Sequence, residues 1–183
     1  MDALWLRFCD GDETAFAQIV EVNYRALLYY GSKVVGDKAL VEDCIHSLFL
    51  DLWEKRTALS EVQNHKAYIF AAFRNNLFQL TKQKEKYVGL DLVKSVNDLS
   101  QEMHFDGFEE DYEDKLRRAL EKLPDRQKEA LYLRYFENLS YQDIGLVMNL
   151  KRQAVANYIQ YGLQKLRAYW QETVISFVFF LMG

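Results

Sequence analysis

The chain has 183 residues, half of them apolar, and carries 23 Lys and Arg against 27 Asp and Glu for a net charge of -4. That balance supplies a sizeable core and excludes a disordered chain. One proline, eight glycines and no sustained β-branched alternation leave long stretches at three-and-four spacing, so the predicted fold is all-α.

Reading from the N-terminus, MDALWLRFCDGDE has acidic residues where a signal peptide needs basic ones, and the expected location is cytoplasmic. Cys9 and Cys44 lie in apolar helical surroundings without a neighbouring ligand at metal spacing, and read as reduced packing thiols. Asp12 is placed to cap a helix through about Val35, and Asp37 another through about Lys55. The second of these sets Ile45, Leu48, Phe49 and Leu52 on one face. A polar loop, RTALSEVQ, follows. Asn64 then caps a third helix, HKAYIFAAFRNNLFQLTKQKEK, with Ile69, Phe70, Phe73, Leu77 and Leu80 as its buried stripe.

Charge divides the chain more sharply than its total implies. Residues 1–87 hold 11 basic against 12 acidic residues, 88–111 hold one lysine against seven acidic residues, and 112–170 hold 11 basic against seven. The expected architecture is therefore two small helical domains, 1–87 and 112–170, joined by an acidic linker over 88–111 and followed by an apolar tail over 171–183. The tail's run from Val174 to Met182 is much shorter than the roughly 20 residues a membrane-spanning helix needs, so no stable membrane insertion is expected. A tail helix packed on its own domain is the simpler expectation.

In the second domain YEDKLRRALEK forms a helix that ends before Pro124, and Pro124 suits the first turn of the next, PDRQKEALYLRYFEN. Ser140 and Asp143 then approximate a capping box for YQDIGLVM. Gly145 falls where crossing helices approach closely, and Asn149 at a corner that needs positive φ. Leu150 and Val155 point inward from the following helix. Small residue, corner residue and apolar positions together specify a helix-turn-helix, which sets its second helix in the DNA major groove. An ordinary αα-hairpin would share the pattern, but not the polar face left outside: Lys151, Arg152, Gln153, Asn157, Tyr158, Gln160 and Tyr161. Arg pairs with guanine, and Asn or Gln with adenine, by two hydrogen bonds each. Lys151 and Arg152 could equally hold phosphates.

Three stretches in this order, VEDCIHSLFLDLWEKR, AYIFAAFRNNLFQLTKQ and LPDRQKEALYLRYFENLSYQDIGLVMNLKRQAVANYIQYGLQKLR, resemble the extracytoplasmic-function sigma factors of bacterial RNA polymerase, sigma-70 family. The similarity runs from about Ala15 to Trp170. It implies a promoter-melting, polymerase-binding first domain and a second domain that recognises the upstream promoter element. Asp43, His46, Phe49, Asp51 and Trp53 fall on the helix that in the family docks on the clamp helices of the largest polymerase subunit, although Phe49 and Trp53 read equally as core. Asn64, His65, Lys66, Tyr68, Arg74, Asn75 and Lys82 match its downstream-element surface, where aromatic faces and cations hold unstacked bases. His65 reads more simply as a solvated loop residue. Ser140, Tyr141 and Gln142 join the upstream-element set. The linker is implied to thread the RNA channel, and an anti-sigma factor is implied as a partner, beside core RNA polymerase and promoter DNA.

Some residues depart from the family pattern. His46 replaces a glutamine, Gln79 an aspartate, and AVANYIQYG lacks two or three basic residues common in relatives. Promoter preference therefore does not carry over. The alternative function is a stand-alone helix-turn-helix regulator, which predicts a symmetric dimer. The three histidines, 46, 65 and 104, sit in no catalytic spacing, and HFDGFEED reads as a solvated charge run; no enzyme activity, cofactor or metal is expected.

Overall fold

A computed structural model describes the backbone of residues 3–88 and 118–182 and the side chains of 3–82 and 118–169. The acidic linker, most of the helix expected at YEDKLRRALEK, His104 and the tail side chains lie outside the described residues. Within them every regular element is helical: α1 Ala3–Cys9, α2 Glu13–Val35, α3 Lys38–Lys55, a 3-10 turn Arg56–Leu59, α4 His65–Val88, α5 Asp125–Tyr135, α6 Tyr141–Met148 and α7 Arg152–Met182.

The expected caps set the helix starts. The Asp12 carboxylate accepts from the N–H groups of Thr14 and Ala15 at 2.9 and 3.1 Å, Asp37 from Leu40 at 3.1 Å and Asn64 from Ala67 at 3.0 Å. At the end of α2, Gly36 takes φ 72° and donates its N–H to Ser32, a turn that any side chain would strain. Pro124 sits one residue earlier than expected. It flanks α5 with φ -58° and ψ 144°, and its carbonyl accepts from Gln127 and Lys128.

In the N-terminal half α1 to α4 bury Trp5, Phe8, Leu27, Ile45, Leu48, Ile69, Phe70, Phe73 and Leu77 in one core. At Gly31 a Cβ would come within 2.7 Å of Val41 and 2.8 Å of the Phe73 ring, so α2 meets α3 and α4 more closely than alanine allows. RTALSEVQ is less loop-like than expected. Its Arg56–Leu59 turn buries Leu59, whose carbonyl accepts the Trp5 indole N–H at 2.9 Å. In the C-terminal half α5, α6 and α7 enclose Leu131, Leu133, Ile144, Val147, Val155 and Ile159, with Gly162 of α7 against Leu131. α7 continues as one helix past the boundary expected at residue 170. No helix of the described residues is long and apolar enough to cross a membrane.

The two halves touch. α4 packs along α6, and α5 reaches α2 and α4 through long polar side chains described next.

Candidate promoter-DNA and polymerase interface

The helix-turn-helix is built from its corner outward. Ser140 Oγ accepts the Asp143 N–H at 3.2 Å while the Asp143 carboxylate accepts the Ser140 N–H at 3.2 Å, so two of the backbone donors at the start of α6 are satisfied. Asn149 holds φ 53° and closes the helix, and its neighbour Leu150 donates its N–H to the Gly145 carbonyl at 2.8 Å. A Cβ on Gly145 would stand 2.7 Å from the Leu150 carbonyl oxygen, which is why this position is glycine. Val155 and Ile159 are sealed inward.

This leaves Lys151, Arg152, Gln153, Gln160 and Tyr161 exposed on one side of α7, with Asn157 and Tyr158 half-buried between them. Gln153 donates to Asn157 Oδ1 at 3.1 Å, which orients the two amides along one strip. Ser140 and Gln142 are exposed. Tyr141 is half-buried under the Arg134 guanidinium, which lies 5.3 Å from its ring centroid and donates to the Leu139 carbonyl. The upstream-element candidates therefore share a surface, and none is sealed in the interior.

On α3, Asp43 and His46 are exposed and Asp51 half-buried. Phe49 requires correction as a polymerase contact: it is 6% exposed and packs edge-on to Phe16, so its ring belongs to the core. Trp53 is half-buried, tilted against Phe8 and Phe16, with the Arg56 guanidinium 4.5 Å from its ring centroid. Leu50, not among the expected residues, stands 66% exposed between them.

The downstream-element candidates divide. Asn64, Asn75 and Lys82 are exposed, and Lys66 and Tyr68 half-buried. His65 is no solvated loop residue: it opens α4 and stacks on Trp5 with centroids 4.4 Å apart. Trp5, Val22, Asn23, Asn64, His65 and Lys66 line a cleft of about 440 Å³. Arg74 is not presented to solvent. It is 6% exposed and pairs with Glu129 of α5 through two bonds, Nε to Oε1 at 2.7 Å and Nη2 to Oε2 at 3.3 Å. Tyr30 donates its hydroxyl to the same Oε1 at 2.6 Å. Burial acts to lower the Arg74 pKa, but the Glu129 hydrogen bond and charge raise it further, so the guanidinium stays charged. Lys66 meets Glu137, 2.8 Å from its carboxylate and 2.9 Å from its carbonyl.

Glu129, Glu137, Tyr30 and Tyr132 carry this contact and were missed from sequence. A signal existed, since Glu129 lies in the same helical phase as buried Leu133, where an acid should lack water.

Residues 113–166 match the family model for sigma-70, region 4. The chain is 24% identical over 144 residues to the RNA polymerase sigma factor SigZ of Bacillus subtilis (strain 168), covering 79% of this chain and 80% of that protein. Residues 113–166 therefore carry a sigma-70 region 4, and the chain is similar to a sigma factor over most of its length. Two solved structures share its fold at 18% identity. CnrH in complex with the cytosolic domain of CnrY has a TM-score of 0.61, covering 92% of this chain and 96% of that one. The sigma factor RpoE with the anti-sigma factor NepR from Bartonella quintana has 0.62, covering 85% and 96%. A sigma factor directs promoter recognition, and members of this family act as initiation factors rather than enzymes.

Proposed function

We propose that this sigma factor divides its work as its charge divides the chain, with residues 1–87 gripping core RNA polymerase and melting the promoter, 88–111 as the connecting strand and 112–170 reading the upstream element. The observation that carries this reading is the uncovered strip Lys151, Arg152, Gln153 and Gln160 on a helix fixed by the Asn149 corner. Arg152, Gln153 and Asn157 offer the two-bond pairings that read base edges, while Lys151, Ser140 and Gln142 hold phosphates. Asp43, His46 and Asp51 of α3 meet the polymerase clamp helices, with the exposed Leu50 supplying the apolar contact that Phe49 does not. The cleft beside Asn64, His65 and Lys66 has the room and the mixed apolar and cationic walls to hold an unstacked base.

The protein works in the cytoplasm without a catalytic step of its own. Its fold relatives were solved with CnrY and NepR bound, and that supports an inhibitory protein partner here too. The deciding experiment adds the purified chain to core polymerase on a pool of genomic fragments and sequences the bound DNA and the transcripts. One enriched motif upstream of defined start sites is expected. Binding without any defined start would overturn the assignment.

A further inference from the structure

The contact between the halves is polar at its centre. Arg74 and Glu129 are each 6% exposed, and Tyr30 and Lys128 beside them 1% and 4%. Around them Tyr29 and Tyr30 stack on Tyr132, with centroids 5.5 and 6.0 Å apart, and Tyr132 donates its hydroxyl to Glu137. An apolar core cut in two would not open in water. Paired charges and hydroxyls regain solvent on separation, so such a contact sits near balance.

The geometry of the pairs points to what they replace. Glu129 meets Arg74 through both carboxylate oxygens, the fork-to-fork arrangement that a guanidinium also makes with phosphate. Glu137 offers Lys66 an anion at 2.8 Å. Between the halves, Arg74, Asn75, Lys82 and Arg126 line a cleft of about 440 Å³ whose other wall is Met148, Asn149 and Leu150. Thus α6 stands over the part of α4 that carries Asn75 and Lys82. By contrast, Lys151, Arg152 and Gln153 on α7 and Asp43 and His46 on α3 remain exposed.

We propose that Glu129 and Glu137 stand in for promoter phosphates, latching the C-terminal helices over α4 so that Arg74 and Lys66 are withheld from DNA while the α3 and α7 faces stay open. The latch rests on the reading of α4 as a DNA-binding surface. It makes the downstream face the one that must be released: docking of α3 on polymerase and α7 on duplex DNA draws the halves apart, and single-stranded promoter phosphates then replace the two glutamates.

The test uses the full chain with a fluorescent donor and acceptor at Lys55→Cys and Gln164→Cys, both exposed positions, and reads energy transfer together with binding of a single-stranded promoter oligonucleotide. The variant E129Q/E137Q should lower transfer and tighten binding about tenfold, as expected if roughly a tenth of the molecules are open beforehand. E137Q alone leaves the buried Arg74 pair intact and should move both readings part of the way, which covers the case in which the double variant folds poorly. E54Q/E61Q removes two exposed carboxylates elsewhere on the N-terminal half and should change neither reading. Unchanged transfer in both glutamate variants overturns the latch, even if binding tightens, because lost repulsion alone would explain that. Lower transfer without tighter binding overturns instead the assignment of α4 to DNA.

Discussion

Asp12 is held well below the usual carboxylate range by hydrogen bonds from the Thr14 side chain, the Ala15 N–H and the Arg7 guanidinium, the last also an ion pair at 2.6 Å. A depressed folded-state pKa adds stability above the unfolded value, about pH 4, and that stability is lost as pH falls below it toward the folded value. D12A should therefore be less stable than the parent at neutral pH, with the difference shrinking below about pH 4 in urea melts across pH. Cys44 behaves oppositely, since burial alone pushes its thiol up to about 12. Cys44 should resist a thiol reagent at pH 8 in the native protein and react once the chain is unfolded in guanidinium. Gly145 is constrained by space: a methyl there meets backbone, the Leu150 oxygen, rather than a side chain that can turn away. G145A should cost roughly 1 to 3 kcal/mol in chemical denaturation.

At the scale of elements, α6 shows how a short helix of eight residues is kept in place. Its start is closed by the Ser140 and Asp143 box and its end by Asn149, so S140A should lower stability by about 1 kcal/mol. The two ends of the readout strip on α7 should respond differently in the assembled holoenzyme. K151A should weaken binding to all promoters alike and reduce the salt dependence by about one counterion. R152A or N157A should cost about 1 to 3 kcal/mol and relax preference at a single base pair, measured by selection from a randomised site. These caps and the exposure of this face of α7 follow from local chemistry, and both were legible as such. α3 was less so, because a ring on an amphipathic helix can turn to either side. Phe49 fills the core beside Phe16, and Leu50, one position on, takes the outside.

For the whole molecule, the telling quantity is the cost of breaking the Arg74 pair. Removing one partner of a pair fixed inside a rigid core costs roughly 3 to 5 kcal/mol, because the remaining charge is stranded. Here the halves can part and return Arg74 to water, so the cost of E129A is capped by the free energy of opening. Urea melts of E129A should accordingly show a smaller loss than that range. A full loss would mean that the two halves form a single inseparable core.

The capped helix starts at Asp12, Asp37 and Asn64, the capping box, the positive-φ corner and the family resemblance were legible in the sequence itself, since each depends on residues within a few positions of one another or on a motif read in order. What the tertiary structure alone decided is which charges meet. Arg74 and Glu129 stand 55 positions apart, Lys66 and Glu137 71, and Tyr30 and Glu129 99. Helical phase places a side chain on a face but says nothing of what another part of the chain brings against it. Only the packed arrangement turns Arg74 and Lys66 into partners of two glutamates.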